Sequence, residues 1–230
     1  MRIIVFGANG PTGRLLTEQA LGHGHDVVAV TRKPFEFPLA HDRLTVFEGD
    51  VLRPGSVDSA VAGADAVLST LGVPFGKREI TTYSAGSANI LAAMHRHGVR
   101  RLVVVSSSAV DPKPYSDGGI LFNRILQPYV ARVLGRTLYD DMRRMETLVE
   151  GSDLDWTIVR PSGLYDLPTV TDYTMAAGHI DRRFTARVDL AASLLRLAEE
   201  EQFVREVVSV VTVTDNPSMA QLLRREAFNK

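Results

Sequence analysis

The sequence predicts an α/β protein built on a doubly wound parallel sheet. Two observations carry this expectation. Short runs rich in β-branched residues alternate with helical segments along the 230-residue chain. The first run, Ile3-Ile4-Val5-Phe6, leads straight into the glycine-rich turn Gly7-Ala8-Asn9-Gly10-Pro11-Thr12-Gly13-Arg14. A strand buried on both faces reads as such an unbroken apolar run.

The glycines let the backbone turn tightly and approach a ligand closely. A helix from about Arg14 turns Leu15, Leu16 and Ala20 inward. Its free N–H groups and positive dipole end form an anion site suited to a dinucleotide pyrophosphate. Gly7, Asn9, Gly10, Pro11, Thr12, Gly13 and Arg14 are therefore cofactor-binding candidates.

Val27–Val30 is the second strand and Leu44–Phe47 the third. Ser56–Ala62 reads as a short helix with Val57, Ala60 and Val61 inward and Ser56 as its cap. The fourth strand, Ala66–Thr70, ends at Leu71-Gly72, where small residues let a cofactor pass over the sheet. A helix over Tyr83–His97 buries Ile90, Leu91 and Met94 and stops at Gly98. Leu102–Val105 is the fifth strand, and a helix near Tyr139–Glu150 precedes the sixth, Trp156–Val159. On that helix Asp140, Asp141, Arg143 and Arg144 read as a charged outer face. A helix from Asp189, its expected N-cap, to about Glu201 aligns Leu190, Leu194, Leu197 and Ala198. Val207–Val213 is the seventh strand and Ser218–Phe228 a last helix.

No linker or repeat divides the chain, so residues 1–230 read as one domain. Segments 111–138 and 162–188 break the alternation. Both leave the carboxyl ends of strands, where open α/β sheets hold ligands, and are the expected substrate walls.

Composition excludes several function classes. A net charge of −1 argues against nucleic-acid or membrane partners. The absence of cysteine excludes disulfides and thiolate chemistry. No apolar run is long enough to span a bilayer, and the chain opens on a core strand, so a cytoplasmic protein is expected. The histidines lack metal-ligand spacing. His23, His25, His95 and His97 read as surface or loop residues, as does His179, and no metal site is expected.

Thr31-Arg32-Lys33 follows the second strand, where an NAD site usually carries an acid for the ribose hydroxyl. An acid would repel a 2′-phosphate, whereas Arg32 binds one bidentately and Lys33 adds charge. Arg14 stands in reach of the same phosphate. NADP(H) is favoured over NAD(H). Asp50 closes the third strand, placed to accept from the adenine amino group while Val51 packs on the ring.

These residues resemble the atypical branch of the short-chain dehydrogenase/reductase superfamily. The nearest look-alikes are the biliverdin reductase B / flavin reductase group and NmrA-like proteins. The resemblance rests on the glycine turn, Gly49-Asp50-Val51, Val105-Ser106-Ser107-Ser108-Ala109 and Trp156-Thr157-Ile158-Val159-Arg160-Pro161. It implies a Rossmann fold, adenine contact by Asp50, and a nicotinamide near Ser108 and Pro161. Ser106, in the same run, joins the cofactor-binding residues.

Ser108 is the first choice to hydrogen-bond an acceptor carbonyl. Ser107 points to the opposite face if the strand continues. Tyr139 and Arg143 form Y-x-x-x-R on one helix face, where the superfamily signature is Y-x-x-x-K. Arginine keeps the charge but is not a drop-in replacement for an ammonium. Catalytic roles fall on Ser108, Tyr139 and Arg143, with a packing tyrosine as the alternative.

The expected function is NADPH-dependent hydride transfer to a small planar or carbonyl acceptor: a flavin, a quinone or a tetrapyrrole-like compound. A non-catalytic NADP(H) sensor and a nucleotide-sugar epimerase/dehydratase remain alternatives. The apolar stretch Ile120–Leu134 suits an amphipathic helix broken near Pro128, and is open as a lid, a homodimer contact or a partner face.

Overall fold

The computed structural model describes residues 1–76, 78–116 and 119–214. The helix expected over Ser218–Phe228 lies outside the described residues.

The chain forms β1 (Arg2–Phe6), α1 (Pro11–Gly22), β2 (Asp26–Thr31), β3 (Leu44–Glu48), α2 (Asp58–Val61), β4 (Ala66–Ser69), α3 (Thr82–His97) and β5 (Arg101–Val105). A helical passage follows, in which α4 (Gly119–Leu121) and α5 (Gln127–Tyr129) alternate with π-helical turns at Phe122–Leu126 and Val130–Leu134. Then come α6 (Arg136–Glu150), β6 (Asp155–Pro161), β7 (Gly163–Tyr165), β8 (Tyr173–Ala177), β9 (Phe184–Ala186), α7 (Arg187–Glu199) and β10 (Glu206–Thr212).

Eight strands form one sheet in the order β3-β2-β1-β4-β5-β6-β10-β8. The order reverses between β1 and β4, the switch point at which doubly wound sheets bind ligands. The expected parallel sheet holds through β10, and β8 adds an antiparallel edge against it. β7, β8 and β9 lie inside the stretch expected to be irregular. They are short, and β7 and β9 pair only with each other.

Apolar layers cover both faces of the sheet. Ile4, Phe6, Val28 and Val67 face α3 and α6, with Ile90, Met94 and Met145. Ile3, Val5, Val27 and Leu68 face α1 and α7, with Leu16, Leu190 and Leu194. The period of two along β1 thus feeds both layers. Each fully buried side chain of this size contributes about 1.5–3 kcal/mol.

Two carboxylates, one expected on a charged outer face and one as a helix cap, are buried. Asp141 is fully enclosed, not on a charged outer face. It accepts from the backbone N–H of Tyr83 (2.8 Å) and Ser84 (3.3 Å), and pairs with Arg144 (3.1 Å). Thr81, the α3 N-cap, gives no side-chain bond, so Asp141 caps α3 from across the helix pair. Asp189 is likewise buried and is not a cap, because α7 begins earlier, after Ala186. It accepts from Thr171 N–H (2.7 Å) and from the hydroxyls of Thr171 (2.8 Å) and Thr212 (2.6 Å).

Ser56 does not cap α2. Its hydroxyl accepts from Asp50 N–H (2.8 Å) and donates to Asp50 O (2.7 Å), locking the loop after β3. The helical passage runs through Pro128 without the expected break. The π turns around Pro128 accommodate its missing N–H.

Replacing Asp141 by Ala leaves the first N–H groups of α3 buried without an acceptor. The expected loss is about 2 kcal/mol or more of unfolding free energy in urea. An unchanged midpoint would refute the capping role.

Candidate dinucleotide site

A cleft of about 810 Å³ opens at the carboxyl ends of β1, β2 and β4, within the size range of small-molecule sites. Gly7, Asn9, Gly10, Pro11 and Thr12 form its floor. Gly7 has a φ of 74°, and a Cβ there would meet Thr70 O at 2.6 Å. A Cβ on Gly13 would meet Gly7 O at 2.3 Å, so only glycine lets α1 start this close to β1. Gly13 lies behind the cleft wall rather than in it. Pro11 opens α1, and its Gly10 N-cap makes no side-chain cap bond. The first N–H groups of α1 thus face the cleft mouth as an anion cradle.

Three cations were expected around a 2′-phosphate, and the structure separates them. Arg14 donates from two guanidinium nitrogens, Nε and Nη2, to Asn9 Oδ1 (3.0 and 2.6 Å) and stands outside the cleft lining. Lys33 lines the cleft but is paired with Glu36 at 3.0 Å. Arg32 lines the cleft, is exposed, and has no hydrogen-bond or ion-pair partner among the described residues.

Asp50 also lines the cleft, with Oδ1 accepting from Leu52 N–H at 3.0 Å. Val51 is buried against α3, where a Cβ on Gly86 would meet it at 3.0 Å. Leu71 and Gly72 line the opposite wall. Ser106 lines the inner end. Its hydroxyl is buried and has no hydrogen-bond partner among the described residues, so a ligand's polar group would satisfy it. A glycine cradle, an uncommitted guanidinium and an unpaired hydroxyl fit a pyridine dinucleotide.

The catalytic candidates stand beside this lining rather than in it. β5 ends in the 3-10 turn Ser108–Val110, which Ser107 caps by accepting from Ala109 N–H at 3.2 Å. The Ser108 hydroxyl lies 3.3 Å from the Tyr115 hydroxyl. Tyr139 is buried, with Phe75 packed edge-on at 6.1 Å. Burial raises its phenol above the ordinary tyrosine range, and a hydrogen bond with Ser107 offsets part of that. Arg143 does not serve Tyr139. Its guanidinium bonds Val110 O (3.0 Å) and Asp140 (2.7 Å). Pro161 ends β6 against Val210 and is not among the residues that line the cleft. Arg160, next to it, binds Glu146 through two bonds of 2.9 and 2.7 Å and joins β6 to α6.

Leu164 and Arg187, from segment 162–188, line the cleft. No described residue of segment 111–138 lines it. Arg187, at the start of α7 and 2.8 Å from Asp166, went unassigned in sequence, as did Tyr83 and Met142. The position of Arg187 after an irregular stretch was the available signal. Tyr83 and Met142 lie on helices, where only packing reveals the wall they form.

The profile of an NAD(P)H-binding family matches residues 7–201. The chain belongs to this family. An uncharacterized chloroplastic protein of Arabidopsis thaliana is 28% identical over 94% of this chain and 78% of its own length. An uncharacterized sugar epimerase of Bacillus subtilis is 26% identical over 87% of this chain and 89% of its own. The chain spans only 12% of the length of a mycobacterial relative that it matches at 38% identity. A short-chain dehydrogenase/reductase of Veillonella parvula, solved with NADP, superposes with a TM-score of 0.78 at 22% identity, covering 95% of this chain and 99% of that one. An anaerobilin reductase of Escherichia coli O157:H7 superposes with a TM-score of 0.72 at 21% identity, covering 95% and 100%. No helix among the described residues is long and apolar enough to cross a membrane.

Burial raises Tyr83 as well as Tyr139. Unfolded tyrosine ionises near about 10. Above that pH the native state holds more protons than the unfolded one. Stability should therefore fall as pH rises from about 10 through the native values. Phenolate absorbance should show late-ionising tyrosines, one fewer in Tyr139→Phe. An unaltered titration would contradict the burial of Tyr139.

Proposed function

We propose that the protein is an NADPH-dependent oxidoreductase that passes hydride to a small planar or carbonyl acceptor. The observation that carries this reading is Arg32: an exposed guanidinium, unpartnered among the described residues, on the cleft wall where an NAD site carries an acid. It favours a cofactor with a 2′-phosphate.

When bound, NADPH supplies the hydride from its nicotinamide ring. The chain's residues hold and orient. The α1 N-terminus takes the pyrophosphate, Arg32 the 2′-phosphate and Asp50 the adenine edge. Ser106 gives its unpaired hydroxyl to the nicotinamide end. Ser108, paired with Tyr115, offers a hydroxyl to an acceptor oxygen.

Tyr139 is held neutral by burial and lacks a cation on the same helix face turned toward it. That arrangement favours acceptors whose proton comes from solvent, such as a flavin, a quinone or a tetrapyrrole-like ring, over reactions that require a tyrosine acid. The shared fold of the anaerobilin reductase is consistent with this choice. The epimerase reading, prompted by the Bacillus relative, needs an acid–base residue on the sugar, and the burial of Tyr139 counts against it.

Charge-assisted hydrogen bonds contribute about 1.5–3 kcal/mol. Arg32→Ala should therefore weaken NADPH about 10-fold to 100-fold while NADH changes little. Equal losses for both cofactors, measured by fluorescence titration, would reject the 2′-phosphate assignment. Ser108→Ala should slow single-turnover hydride transfer to a quinone or flavin without altering NADPH affinity. An unchanged rate would remove Ser108 from the reaction.

A further inference from the structure

Two histidines and a glutamate meet at the edge farthest from the cleft. His23 follows α1, His25 precedes β2, and Glu199 is the last residue of α7. Glu199 Oε1 lies 3.1 Å from His23 Nδ1 and 2.7 Å from His25 Nε2. All three atoms lie within 4.8 Å of one another. The turn that carries both imidazoles bends at Gly24, whose φ is 82°. In sequence the histidines lacked ligand spacing because the third member stands 174 residues away.

We propose that His23 Nδ1, His25 Nε2 and Glu199 Oε1 bind one divalent transition-metal ion of the zinc class. Two imidazoles and a carboxylate are a zinc donor set. Bonds of about 2.0–2.2 Å in tetrahedral array put neighbouring ligand atoms about 3.3 Å apart. The Glu199 contacts of 3.1 and 2.7 Å need to open slightly, and the two imidazole nitrogens, within 4.8 Å of one another, need to settle at the same spacing. The His25 side chain is 12% exposed, so this ligand is held by packing, while Glu199 stands at the surface. His23 is 60% exposed and leaves the fourth position to solvent. His23 Nδ1 and His25 Nε2 would turn their lone pairs to the ion.

The site lies at the amino end of β2, whereas Arg32 lies past its carboxyl end, about 20 Å along the strand. The ion is therefore structural, and the inference stands apart from the cofactor reading. It ties the end of α1 to the end of α7, the two helices that cover one face of the sheet.

The test is calorimetric titration of ZnCl2 into the protein, alongside thermal unfolding. One ion per chain should bind, and the unfolding midpoint should rise with zinc and return with EDTA. Glu199→Gln and the exposed-site variant His23→Gln should each lose at least about 10-fold in zinc affinity. NADPH affinity should stay unchanged in both. No stoichiometric binding, or binding that survives Glu199→Gln on other histidines, would overturn the proposal.

Discussion

The start of α1 can lie against the end of β1 only because position 13 has no side chain. A methyl group there would stand 2.3 Å from Gly7 O. That contact sets the distance from helix to sheet, and the rest of the cleft follows from it. With α1 seated, its N–H groups point into the opening between β1 and β4, where the strand order reverses. Gly7 meets a similar limit from the neighbouring strand, since a methyl group on it would stand 2.6 Å from Thr70 O. The anion site is thus a consequence of backbone packing more than of any charged side chain.

Buried carboxylates carry the long-range order around this cradle. Asp141 on α6 satisfies the first N–H groups of α3 and so fixes the wall that holds Tyr83 and Val51. Asp189 on α7 gathers Thr171 and Thr212, joining segment 162–188 to the last strand. Glu146 holds Arg160 and secures β6 against α6. Each is a charge-assisted hydrogen bond placed where water is excluded, so each is costly to lose.

The central strands and the glycine turn were legible in the sequence because burial on both faces leaves an unmistakable apolar run. Arg32, Asp50 and the Leu71-Gly72 step were legible because they follow strand ends at the switch point. Asp141 and Asp189 were misread as a solvent face and a cap, since their partners lie in elements distant in sequence. The same reason hid the meeting of His23 and His25 with Glu199. Arg14 and Arg143 had the right chemistry at the right spacing, but Asn9 and Val110 claim them. Strands β7, β8 and β9 are short edge or paired segments without a strong periodic signal.

The most direct test of the account is a side-by-side titration of the wild-type protein with NADPH and NADH, followed by cofactor fluorescence. Saturable binding of NADPH, with clear preference over NADH, is the predicted result. Binding of neither cofactor would contradict the central claim that the glycine cradle and Arg32 form a dinucleotide site.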